Sequence, residues 1–207
     1  MTRCPPSGTC PGTVSPPTRN CDRRATGPSA RPVRSVVRRR AVERRRVARG
    51  RRQELPPVSR VYASPMLRAR CTARLVWPDA EIHVVPGLRE MDFGIFDGRA
   101  HAELMEDPAY REWLAQGEWE GYPGGETFAQ ARARVDAAFR FLARDAAERG
   151  LSRAGAVVHG GTLMLITELY TDIRLNYTDL LVKNCEGFLM QVKYEKGKAT
   201  VSGCERI

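Results

Sequence analysis

Ala156-Val157-Val158-His159-Gly160-Gly161-Thr162 is the stretch whose reading decides the fold. A short β-branched run ends in a histidine and two glycines, then passes into Leu163-Met164-Leu165-Ile166, where a helix can begin. That order reads as strand, tight turn, helix. At the end of a parallel strand the next helix presents unpaired backbone N–H groups and the positive end of its dipole, and glycines let an anion come close to the backbone. His159 therefore stands at the mouth of a candidate anion site. Two readings of it stay open: a histidine with chemistry, and a turn histidine with none.

Working outward, the pattern repeats. Val58 to Ala63 reads as a strand, and Ser64-Pro65 as an N-cap followed by proline at the first helical position, opening a helix that Pro78 stops near Trp77. Ile82 to Val85 is a second strand, and Leu88 to Gly98 a glycine-interrupted loop with Glu90, Asp92 and Asp97. Short helices are expected near 100–106 and 108–116, followed by a loop carrying Trp119 and Tyr122 that Pro123-Gly124-Gly125 closes. Phe128, Ala131, Val135, Ala138, Phe139 and Leu142 recur at helical spacing, which makes them the core face of a long helix over 127–149. The C-terminus reads as a hairpin around Glu195-Lys196-Gly197-Lys198. Strands alternating with helices imply an α/β fold, a three-layer α/β/α sandwich with a mainly parallel central sheet and its site at the carboxyl ends of the strands.

Charge divides the chain. The 207 residues carry a formal net charge of +10, but residues 1 to 60 hold 16 arginines, no lysine and three acids, a net of +13, leaving −3 for the rest. Residues 1–46 are rich in Pro, Arg, Ser and Thr and have no aromatic residue, so they cannot bury enough apolar surface to offset their ordering entropy. This gives an Arg/Pro-rich segment over 1–46, expected to be disordered, and a folded domain over 47–207. The basic segment admits a transit peptide or a nucleic-acid arm, but it lacks aromatic residues for stacking and a recognition helix, so a nucleic-acid partner is disfavoured. The six cysteines form no C-x-x-C pair, and no Cys/His cluster has zinc spacing, so a reducing compartment with free thiols is expected. With no apolar run long enough to span a bilayer and no secretory h-region near Met1, the expected setting is cytoplasmic, with no membrane partner.

Three strand ends carry groups suited to a phosphate monoester. Arg68, early in a helix, has a fork able to grip two phosphoryl oxygens; Glu90 offers a loop carboxyl as general acid; His159 can donate to an oxyanion. The stretches Tyr62-Ala63-Ser64-Pro65-Met66-Leu67-Arg68-Ala69 with Thr72-Ala73, Leu88-Arg89-Glu90-Met91-Asp92-Phe93-Gly94 with Asp97-Gly98, Pro123-Gly124-Gly125-Glu126-Thr127 and Val157-Val158-His159-Gly160-Gly161 resemble, in order and spacing, the histidine phosphatase superfamily, the phosphoglycerate mutase-like group. Its small phosphatase branch, which includes α-ribazole phosphatase-like enzymes, fits better than the mutases, because the chain has little room for their substrate-covering insertions.

The resemblance implies a phosphomonoester hydrolase working through a phosphohistidine, with neither metal nor cofactor. Carried over to this chain, Arg68 is the second pocket arginine, His159 the second histidine, Gly160 a backbone donor, and Glu90 the acid and later base. Glu126 is read more plainly, as a residue of the first turn of the long helix. The apolar and aromatic residues Met91, Trp119 and Tyr122 are expected to shape the mouth, where sugar phosphates, nucleotides and ribazole phosphate fit alike.

The family's Arg-His-Gly nucleophile is absent. The other histidines, His83 and His101, fall within a strand and early in a helix. No nucleophile is identifiable, and the first strand of the sheet is expected to be missing or malformed. The best strand in the segment, Ser35-Val36-Val37, is bordered by arginines. Two accounts follow. One is a catalytically dead relative that binds a phosphorylated ligand. The other is an out-of-frame N-terminal segment: Pro11-Gly12-Thr13-Val14 can be encoded CCC GGC ACG GTN, which contains CGG CAC GGT, spelling Arg-His-Gly.

Overall fold

Arg60-Val61-Tyr62-Ala63 is the strand (β1, Arg60–Ala63) on which the layers are built, and all four of its residues are buried. Alternation sends neighbouring side chains to opposite faces. Val61 and Ala63 pack with Ala73, Trp77, Ile82 and Val157 on one face, whereas Tyr62 packs with Val85, Leu88, Ala138 and Leu142 on the other. The first face is covered by α2 (Leu67–Val76) and the second by α5 (Phe128–Glu148). A fully buried side chain of this size contributes about 1.5–3 kcal/mol, so the short strand holds both layers. The computed structural model divides into two units, 1–40 and 41–207, and describes residues 43, 45–99, 101–116, 120–172 and 185–207. The expectations for residues 1–42 and 44, for Ser35-Val36-Val37 and for Trp119 lie outside the described residues.

Beside β1 run β2 (Glu81–Val84) and β3 (Gly155–Val157), both parallel to it, in the order β2-β1-β3. Ala63 is level with Val84 on one side and with Val157 on the other. The three carboxyl ends therefore open at one height. This is the α/β architecture with a parallel sheet covered on both faces that the strand and helix alternation implies. Among the described residues no strand pairs with the outer edge of β3, and the hairpin of β4 (Phe188–Glu195) and β5 (Lys198–Arg206) forms a separate antiparallel sheet. Met190, Ala199 and Val201 of the hairpin pack against the cluster of Val135, Phe139, Leu165 and Ile166.

Short helices α3 (His101–Met105) and α4 (Pro108–Ala115) precede α5. Helix α5 starts with a full capping box: Thr127 Oγ1 accepts from Gln130 N–H at 3.1 Å, and Gln130 Oε1 accepts from Thr127 N–H at 3.0 Å, a cap of about 1 kcal/mol. No described helix is long and apolar enough to cross a membrane.

Three local readings differ from the sequence. A helix (α1) runs over 45–54, starting inside the segment read as unstructured. Its one fully buried side chain is Ala48, and Arg51 Nε donates to Cys185 C=O at 3.1 Å, so a small residue and a distant carbonyl hold what composition alone would leave free. Second, Ser64 is not the cap of α2, which begins at Leu67 after an extended Met66. Third, Met91, read as part of the mouth, belongs to the core cluster with Ala131, Val135 and Leu165.

Candidate active site

Equal strand heights bring three side chains to one point. Arg68 is in the first turn of α2, Glu90 lies in the loop after β2, and His159 stands between β3 and α6 (Gly160–Tyr170). Arg68 Nε donates to His159 Nδ1 at 3.2 Å, and Glu90 Oε2 is 4.0 Å from the same nitrogen. A guanidinium only donates, so Nδ1 carries no proton and the neutral ring holds its proton on Nε2. That nitrogen donates to Ser64 Oγ at 2.6 Å.

Burial first, and the Arg68 charge second, push the His159 imidazole down to about 4, so it is neutral at pH 7. Burial pushes the Glu90 carboxyl up, against the opposing effects of the Met91 N–H, the Arg68 charge, and the N–H groups of Gly161 and Thr162. The first turn of α6 is thus directed at this carboxyl. Gly161 makes that approach feasible, because a Cβ there would lie 2.9 Å from Glu90 Oε1 and 3.1 Å from the Met91 side chain. Gly160 itself is exposed, with open space where a Cβ would be. An exposed cationic fork, a neutral imidazole and a carboxyl biased toward its protonated form can together hold an anion and deliver a proton to it. His83 lies elsewhere, in β2, stacked on Phe141 with ring centroids 5.6 Å apart.

The loop bearing Glu90 is held by a second set of groups. Arg134, on α5, donates from its Nε and its second terminal nitrogen to the two Glu126 oxygens, each at 2.7 Å. Its other terminal nitrogen donates to the carbonyls of Gly87 at 2.7 Å and Arg89 at 3.0 Å. Arg89 adds a bond to Glu126 at 3.0 Å, and Thr162 Oγ1 donates to the Arg89 carbonyl at 2.8 Å. Glu126 is therefore a buried anchor outside α5 rather than a member of its first turn, since Thr127 is the cap. Tyr122, expected at the mouth, packs edge-on to Phe93 and stacks on Trp113.

Ser64 and Glu126, read in the sequence only as helix-start residues, and Arg134, not singled out there, are the residues that the structure adds. Arg134 left a signal: it is three residues after Ala131 and four before Ala138, on the core face of α5, where a charge needs a buried partner. Ser64 left none, because a serine ahead of a helix is adequately explained as a cap.

The depressed His159 pKa has a consequence for stability. A histidine held neutral when folded but free to charge at 6.5 when unfolded contributes stability above pH 6.5, and loses it as pH falls toward about 4. The loss is roughly 3 kcal/mol. Urea denaturation at pH 7 and 4.5 is expected to show this decline in the parent chain and to lack this part of it in His159→Gln; equal declines would mean that His159 is not held neutral.

The family model described as histidine phosphatase superfamily (branch 1) matches residues 42–205. The adenosylcobalamin/alpha-ribazole phosphatase of Salmonella typhimurium is 35% identical over 120 residues, 56% of this chain and 58% of that protein. The chain spans little more than half the length of the curated relatives it matches. Among solved structures, the alpha-ribazole phosphatase of Shigella flexneri superposes with a TM-score of 0.53 at 26% identity, over 78% of this chain and 80% of that one. A phosphoglycerate mutase from Bacillus anthracis shares the fold, with a TM-score of 0.55 at 20% identity over 79% and 78% of the two chains.

Proposed function

Because this chain belongs to the histidine phosphatase superfamily, we propose that its site is the phosphoryl pocket of a small-molecule phosphomonoesterase. The observation that carries the reading is the meeting of Arg68, His159 and Glu90 around one nitrogen, within 4.0 Å. Arg68 grips two phosphoryl oxygens with its fork, and His159, once protonated, donates to a third. Glu90 gives its proton to the leaving oxygen as the phosphorus–oxygen bond breaks. Its carboxylate then takes a proton from the water that hydrolyses the phosphoenzyme.

The attacking group in this scheme is a histidine that the 207 residues do not supply in an Arg-His-Gly context. The chain as written therefore binds phosphomonoesters without turning them over. The names of its relatives make α-ribazole phosphate the first ester to try, in a cytoplasmic setting consistent with the free thiols of Cys71, Cys185 and Cys204.

Titration calorimetry with inorganic phosphate tests the pocket. Saturable binding is expected, weakened at least roughly tenfold by Arg68→Ala. No saturable binding by the folded chain would refute the pocket. Turnover of p-nitrophenyl phosphate that disappears with His159→Ala would contradict the binding-only state.

A further inference from the structure

The shortest hydrogen bond of the His159 ring is made to neither Arg68 nor Glu90. Ser64 is completely buried, and its Oγ is 2.6 Å from His159 Nε2. Resting on the phosphoryl-pocket reading, we propose that Ser64 is the positioning residue of His159, holding the Nε2–H so that Nδ1 is the ring nitrogen turned toward the bound phosphoryl group.

The backbone makes this hold rigid. Ser64 immediately follows β1, and its own N–H donates to the Val157 carbonyl at 3.0 Å, extending the register that pairs Ala63 with Val157. His159 is two residues beyond Val157. The separation of hydroxyl and imidazole is thus set by strand pairing rather than by flexible side chains, and it is in place before any anion arrives. Oγ also accepts from the Met66 N–H at 3.3 Å, which directs its lone pairs and helps to set the entry into α2, the helix that carries Arg68. One buried hydroxyl therefore links the strand end bearing His159 to the turn that delivers Arg68.

Orientation matters because the two ring nitrogens face different surroundings. Nδ1 looks toward Arg68 and Glu90, whereas Nε2 looks into the sheet. Rotating the ring by half a turn would place a carbon where Arg68 now donates and would strip Nε2 of its acceptor. Ser64 as a nucleophile is excluded by the same geometry. The neutral imidazole has its proton on the nitrogen facing the serine, so it cannot accept another there, and the hydroxyl is sealed from solvent.

The test uses nitrogen-15 labelled histidine in the full chain, where only three histidines have to be told apart. In the parent chain the His159 proton is expected on Nε2, as a downfield, slowly exchanging signal shielded by its bond to Ser64. In Ser64→Ala that signal should vanish into exchange with water, and calorimetry with inorganic phosphate should give roughly three- to tenfold weaker binding. Ser64→Cys keeps the side-chain size with a poor acceptor, and gives the same readout should the alanine variant fail to fold. A protected proton on Nδ1 in the parent chain would overturn the proposal, as would unchanged exchange and phosphate affinity in the folded variants. If the parent chain binds no phosphate, the pocket reading falls while the exchange measurement still decides whether Ser64 holds the ring.

Discussion

Supplying an Arg-His-Gly sequence at the end of an apolar strand ahead of Pro57 is expected to turn a phosphate binder into a phosphatase. Turnover of p-nitrophenyl phosphate should rise by about 10⁴-fold or more, the scale on which loss of a nucleophile is felt in enzymes that work through a covalent intermediate. On the proposed reading, the groups for the rest of the reaction already meet: Arg68 and Glu90 lie against His159, and burial pushes the Glu90 carboxyl toward its protonated form. Among the described residues no strand pairs with the outer edge of β3, and the β4–β5 hairpin forms its own sheet, so the addition is designed to pair there. A segment spelling Arg-His-Gly, as one shifted reading of residues 11–14 would give, is one to build. Replacing the histidine of that triplet by alanine should return turnover to background, and His159→Ala in the restored chain should cost about 10²- to 10³-fold. Equal turnover by the parent chain and the restored chain would show that phosphoryl transfer here needs no Arg-His-Gly.

The layers and the site were legible in the sequence to different depths, for physical reasons. β1 could be read from the apolar run Val61-Tyr62-Ala63, although its first residue, the buried Arg60, breaks that pattern. Helix α5 could be read because its core face keeps a strict helical period through Leu142. Arg68, Glu90 and His159 could be read because each lies in the turn, loop or first helical turn that follows a strand. What stayed hidden depends on partners far away in sequence. Ser64 looks like a cap until His159, 95 residues on, is brought to its hydroxyl. Glu126 looks like the start of a helix until Arg134, Arg89 and the loop at Gly87 close around it. Alanine 48 gives no hint that it is buried. Local chemistry specifies elements, and it specifies a network only when one member is left plainly unsatisfied.

That network should be the most costly part of the described fold to break. Arg134→Met is expected to destabilise the chain by about 3–5 kcal/mol, because it leaves the buried Glu126 carboxylate without its two-pronged partner and deprives the Gly87 and Arg89 carbonyls of a donor. The pH dependence identifies the cause. Hydrogen bonding from Arg134 is the largest influence on Glu126 and, helped by the charges of Arg134 and Arg89, holds its carboxyl below the ordinary value despite burial. A carboxyl whose folded pKa is depressed contributes stability above its unfolded pKa of about 4.5, and that stability is lost as pH falls through the folded value. The gap between the parent chain and Arg134→Met in urea denaturation should therefore be widest at pH 7 and narrow as pH is lowered toward 3.5. Adding Glu126→Gln to Arg134→Met should recover part of the loss at pH 7, since a neutral amide is cheaper to bury alone than a carboxylate. A gap that stays constant with pH, with no recovery in the double variant, would reduce Arg134 to a packing residue. Glu90 would then have to be held by Thr162 and the first turn of α6 alone.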